Sequence, residues 1–165
     1  MPVVEMFFDY SCPYCLRGHE YLLEVIGDYP SIQMHWQPCE AHPRPEPGPH
    51  VDLAIQGMLF ARDAGADLWA FHERMYDAIL RKRIDRENID ALAEAVGDLV
   101  DKEAFKKALR DGVYAKEQLG INDHAYEESG VWAVPSFRMG EHKLDAVEGV
   151  GITKEKLRAF FDLAK

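Results

Sequence analysis

The chain has 165 residues, a formal net charge of −10, 47% hydrophobic and 29% charged residues, enough for one domain, or a domain carrying a substantial insertion, with a real core. The acidic balance excludes the broad basic footprint of a nucleic-acid binder, and the run Arg81-Lys82-Arg83, flanked by acids, reads as a helix end rather than a phosphate patch. No stretch of about 18 apolar residues is present to span a bilayer, and a strand begins so close to Met1 that a cytoplasmic protein with reduced cysteines is expected.

Val3-Val4-Glu5-Met6-Phe7-Phe8 is rich in strand formers, and Leu16 to Gly27 has the apolar spacing of a helix. Between them, after the turn Asp9-Tyr10-Ser11, stands Cys12-Pro13-Tyr14-Cys15. Proline favours the first helical position, which leaves Cys12 at the cap, where unpaired N–H groups and the positive end of the helix dipole stabilise a thiolate. Cys12 is therefore the expected nucleophile, and Cys15, one turn on, the thiol that resolves a mixed disulfide. Glu5 is expected either as a buried acid tuning the thiols or as a residue meeting solvent near a strand end. His19 shares a helical face with Cys15, Leu22 and Ile26, with Leu16 and Leu23 beside them; it reads as a proton shuttle or as a histidine at the core edge. Gly27 to Pro30 stops the helix.

Ser31 to Gln37 alternates Ile32, Met34 and Trp36 against Gln33, His35 and Gln37, the pattern of a half-buried strand, and the strand, helix, strand order makes the two strands parallel. Pro38 to Pro49 carries five prolines and one glycine and forms a stiff connector without helix. Cys39 lies inside it, as a small loop residue, a third redox partner or a metal ligand. With His42 it would complete a C-x2-C and C-x2-H zinc set from Cys12, Cys15, Cys39 and His42.

From Val51 to Gly130 the pattern is helical almost throughout. A first helix surrounds Leu53, Met58, Leu59 and Phe60; Asp67 caps Leu68 to Lys82, whose face of Trp69, Phe71, His72, Met75, Tyr76, Ile79 and Leu80 reads as core. Asp85 is expected to open a short helix through Val96, Asp101 another closed by Gly112, and a last one runs from about Val113 to Glu128. Gly130 to Phe137 returns the chain to the sheet, with Pro135 at the beginning of a strand. Phe137 to Met139, a turn at Gly140-Glu141 and Lys143 to Val147 read as a hairpin, and Thr153 caps a final helix with a stripe of Leu157, Phe160, Phe161 and Ala164.

This series, with Cys12-Pro13-Tyr14-Cys15 near its start and Val134-Pro135 near its end, resembles the DsbA-like branch of the thioredoxin superfamily. It is most similar to FrnE-type proteins grouped with 2-hydroxychromene-2-carboxylate isomerases. The resemblance implies an α/β thioredoxin fold, with residues 1–37 and 131–165 as the thioredoxin-like domain, 38–50 as a Pro-rich connector and 51–130 as an all-helical insertion. It further implies a cis bond before Pro135 beside the cysteines, a Val134 backbone that pairs with substrate, and a Tyr14 that tunes the redox potential. Pro13, Tyr14, Val134, Pro135 and His19 would line the site around Cys12 and Cys15. Two departures stand out. The buried acid that many relatives carry six residues before the first cysteine is Met6 here, and the isomerase and kappa-class glutathione transferase relatives use serine where this chain has Cys12.

The implied activity is thiol-disulfide oxidoreduction on protein or small-molecule disulfides or dithiols, with no cofactor or metal beyond glutathione as a redox partner. A glutathione-dependent transferase or isomerase and a zinc-stabilised binding module are the alternatives. No nucleic acid or membrane is expected as a partner.

Overall fold

A computed structural model of the chain describes residues 1–164. They fall into two compact units, one formed by Met1–Ala41 together with the chain from Asp123 onward, the other by His42–Asn122. The helical unit thus begins earlier and ends earlier than the 51–130 expected.

The first unit is built on a four-stranded sheet in the order β2-β1-β3-β4, from β1 (Val3–Phe8), β2 (Gln33–Pro38), β3 (Ser136–Met139) and β4 (His142–Asp145). β1 runs parallel to β2 and antiparallel to β3, and β3 and β4 form the antiparallel hairpin, turning at Gly140, whose φ of 58° suits glycine. β1 is flanked on both sides, and from Met6 to Phe8 every residue is buried; β2 lies at the edge, where Gln33 and His35 stay exposed. Pro135 stands immediately before β3, where its missing N–H costs no ladder bond. Because β3 is the neighbour of β1, the residues just before β3 come alongside those just after β1. That placement creates the site.

Helix α1 (Pro13–Val25) connects β1 to β2 and runs on into a 3-10 turn, Ile26–Asp28. It buries Cys15, Gly18, His19, Leu22 and Val25; Ile26 is only half-buried and Leu23 is exposed, so the apolar stripe turns toward Gly18 and Val25 rather than following the expected positions. The final helix of the unit, α7 (Lys154–Asp162), buries Leu157, Phe160 and Phe161, and Tyr29 meets the Phe161 ring edge-on at 5.3 Å. Ala164 lies beyond its end. No helix among the described residues is long and apolar enough to cross a membrane.

The second unit is the succession α2 (Asp52–Asp63), α3 (Leu68–Tyr76), α4 (Ile89–Val96), α5 (Lys102–Arg110) and α6 (Ala115–Asp123). α2 and α5 approach so closely at Gly57 that a Cβ there would lie 2.8 Å from the Phe105 ring. Phe71, His72, Met75 and Tyr76 of α3 are buried, as a core face requires. Two helices expected as continuous change winding instead: α3 passes into a π-helical turn at Asp77–Arg81, and α6 passes into another at His124–Glu128. Asp85 does not open α4. Its carboxylate takes the Glu87 N–H in a tight turn, and Asn88 caps the helix by accepting from Ala91 N.

Candidate active site

The turn between β1 and α1 is shaped by Asp9. Its backbone oxygen accepts from Cys12 N at 3.0 Å, and its Oδ1 accepts from both Ser11 N at 2.7 Å and Ser11 Oγ at 2.6 Å, the local closure that aspartate makes with residues two positions on. Cys12 follows at the cap with an extended backbone (φ −97°, ψ 117°), Pro13 occupies the first turn, and the Cys12 carbonyl accepts from Cys15 N and Leu16 N at 3.0 and 3.2 Å.

The two sulfurs meet opposite environments. Cys12 is partly accessible and its side chain makes no capping hydrogen bond to the helix. As a thiol it donates to the Val134 carbonyl across a long 3.9 Å. As a thiolate it is held by the Cys15 thiol, against the cost of burial, and by the amides of Cys15 and Tyr14; its pKa is lowered to about 7 even though the Asp9 charge opposes this. Cys15 is completely buried, accepts from Asp9 N at 3.5 Å, and is pushed well above the usual thiol range by burial first and by its role as donor to Cys12 second. One thiol is ready to attack, and its neighbour keeps its proton until the first has reacted.

The opposite wall is the segment before β3. The Val134–Pro135 peptide is cis. Pro135 packs on α1 at Gly18, where a Cβ would lie 3.2 Å from the proline Cγ, and Ser136 Oγ donates to Ala133 O at 2.6 Å. Tyr14 lies on Gly151, where the φ of 77° favours glycine and a Cβ would lie 3.1 Å from the Tyr14 ring, and the Arg17 guanidinium sits 5.8 Å from the centre of that ring. A groove of about 220 Å³ runs between Tyr14, Trp132, Val134, Val147 and Gly149. A smaller hollow of about 70 Å³ is lined by Ala133 and Val134 together with Ala41 and Tyr126. Trp132, 69% exposed, borders both.

Cys12, Cys15, Tyr14, Val134 and Pro135 therefore come together, Pro13 stands exposed at the helix start, and His19 is buried one turn beyond Cys15. Glu5 does not serve the thiols. It accepts from Gln37 Nε2 at 2.9 Å and pairs with His124 Nε2 at 2.7 Å, while His124 Nδ1 lies 2.6 Å from Glu128. Cys39 is fully buried with its N–H on Phe8 O at 2.7 Å, and its thiol is raised to about 12, by burial above all. His42 is exposed beside Glu46. No three His, Cys, Asp or Glu side chains among the described residues group to hold a metal ion, so the zinc set lacks its geometry.

Two site residues escape the sequence reading. Asp9, 2% exposed, also accepts from Ala41 N through Oδ2 at 2.8 Å, tying the cysteine turn to the loop after β2; the Asp-x-Ser spacing before Cys12 was the available signal. Tyr126 donates its hydroxyl to Glu40 O in that same loop, and nothing local marks it.

Comparison with known proteins agrees with this architecture. The model of a family described as thioredoxin matches residues 1–162. The uncharacterized protein YwbO of Bacillus subtilis (strain 168) is 25% identical over 193 aligned positions, covering 93% of this chain and 94% of YwbO. Among solved structures, a probable DsbA oxidoreductase from Streptomyces coelicolor superposes with a TM-score of 0.83 at 15% identity, over 99% of this chain and 90% of that one. A 2-hydroxychromene-2-carboxylate isomerase superposes with a TM-score of 0.70 at 14% identity, over 98% and 94%. With its Cys-x-x-Cys pair at the start of α1, its mixed sheet and its helical insertion, the chain belongs to the thioredoxin family and has the fold of the DsbA-like members.

Proposed function

We propose that the protein is a thiol-disulfide oxidoreductase, with Cys12 as the attacking thiol and Cys15 as the resolving one. The observation that carries this reading is the opposed setting of two thiols three residues apart: an accessible one lowered to about 7 and a buried one raised well above its ordinary value. The Cys12 thiolate attacks one sulfur of a substrate disulfide, forming a mixed disulfide and expelling the other substrate sulfur as a thiolate. Once Cys12 is bonded it no longer takes the Cys15 proton; Cys15 ionises, attacks the Cys12 sulfur and releases the second substrate thiolate. The substrate gains two electrons and two protons, and the protein keeps a Cys12–Cys15 disulfide, which a thiol such as glutathione returns to dithiol by the same exchange in reverse.

On this reading the Val134 carbonyl and the groove beside Tyr14 and Trp132 receive the substrate chain, and Tyr14 borders the reacting sulfur. The compartment on this reading is reducing and cytoplasmic, with dithiol as the resting form. The test is titration of Cys12 by thiolate absorbance, in the wild type and in Cys15→Ser, with a redox equilibrium against glutathione. A Cys12 pKa near 7 and a reversible intramolecular disulfide are expected; an ordinary pKa with no such disulfide overturns the reading. Glutathione-dependent activity surviving Cys12→Ser would point instead to the chemistry of the isomerase-like neighbour.

A further inference from the structure

We propose that Asp9 is a positioning residue of the thiol centre, its buried carboxylate sharing the start of α1 with Cys12 and so biasing the pair toward the reducing side. The inference rests on the oxidoreductase reading and adds a direction to it. Asp9 touches every part of the turn. Its N–H reaches Cys15 Sγ at 3.5 Å, its carbonyl receives Cys12 N at 3.0 Å, and its two carboxylate oxygens take three donors from Ser11 and Ala41 at 2.6 to 2.8 Å. With 2% exposure and three hydrogen bonds, the carboxylate has a fixed place just ahead of the helix whose N-terminal field also serves the sulfur.

A helix N-terminus stabilises a negative charge placed at it, and a second negative charge nearby takes back part of that gain. Cys15 acts most strongly on Cys12 and favours its thiolate, burial opposes it, and the amides of Cys15 and Tyr14 favour it; the Asp9 charge is a smaller influence that opposes ionisation of both Cys12 and Cys15, and among the described residues it is the one nearby acidic side chain that does so. The thiolate exists only in the reduced protein. Whatever destabilises it shifts the exchange of protein dithiol plus oxidised glutathione toward protein disulfide plus two glutathione thiols, making the dithiol the better electron donor. Asp9 thereby moderates a centre that the helix alone would make more oxidising.

Asp9→Asn keeps the size and an acceptor oxygen and removes the charge. The Cys12 pKa should fall below about 7, and at neutral pH the equilibrium with reduced and oxidised glutathione should move about two- to fivefold toward the dithiol, the factor by which a pKa fall of roughly half to one unit lowers the protonated fraction of Cys12. A wild type that cycles reversibly and an Asp9→Asn protein that unfolds cooperatively yet keeps both values would overturn the role of Asp9 alone. A wild type with no reversible disulfide would overturn the oxidoreductase reading itself. If Asp9→Asn does not fold, Ser11→Ala decides. It leaves the carboxylate in place with one hydrogen bond fewer, so its less compensated charge should move the Cys12 pKa upward and the equilibrium toward disulfide; no movement in either refutes the proposal.

Discussion

The start of α1 and the starts of α3, α4, α5 and α7 solve the same physical problem differently. At the latter four, Asp67, Asn88, Asp101 and Thr153 place a side-chain oxygen on the third amide of the helix. At α1 the corresponding residue is Cys12, whose side chain makes no capping bond; the Tyr14 amide, together with the Cys15 amide that also donates to the Cys12 carbonyl, favours the sulfur when it ionises. A satisfied cap stabilises the fold at all times. An unsatisfied one holds its stabilisation in reserve for a charged species, so the difference separates helices that serve the architecture from the one that serves chemistry.

The most severe test exchanges one role for the other. Cys12→Ser should abolish disulfide exchange while leaving thermal stability unchanged or raised, by up to about 1 kcal/mol, because a hydroxyl can take the cap that sulfur leaves open; calorimetry beside an exchange assay reads both, and a marked loss of stability would mean that the sulfur holds the turn. Next in size is a pH profile of alkylation. Cys12 should react with half its limiting rate near pH 7, where an unfolded thiol would do so near about 8.5, and a profile centred on the latter would erase the contrast. Among the oxygen caps, Asp101→Ala and Asn88→Ala should each cost about 1 kcal/mol in denaturant unfolding and leave the Cys12 profile untouched.

The smallest effect belongs to His124. Burial lowers its pKa, but hydrogen bonds to Glu128 and Glu5 outweigh this and leave it raised. A raised folded-state value means stabilisation that is complete below the unfolded histidine pKa of about 6.5 and is lost as pH rises through the folded value. A shallow decline in melting temperature across that window is expected in the wild type and should be absent in His124→Gln.

Much of this was legible beforehand because it rests on local rules. The caps at Asp67, Asp101 and Thr153, the strand before Cys12, the proline in the first turn and the hairpin all follow from short-range spacing. Asp85 misled because aspartate closes a tight turn as readily as it caps a helix, and Asn88 three residues later competed for the same helix. The π-helical turns at Asp77–Arg81 and His124–Glu128 are only five residues long, too short for an apolar period to mark them. Glu5 could not be read alone, since its partner His124 lies 119 positions away. Asp9 sits in a turn too short for any period to report burial, and its part in the site appears only when the loop carrying Ala41 folds over it.

The three sulfurs also differ in how they answer a reagent. With Cys15 and Cys39 sealed in the interior and Cys12 alone partly open, the native protein should present a single equivalent to a bulky maleimide and three after denaturation. Covalent labels, probes or immobilising linkers can therefore be placed at one defined position without editing the chain, at the cost of silencing its chemistry.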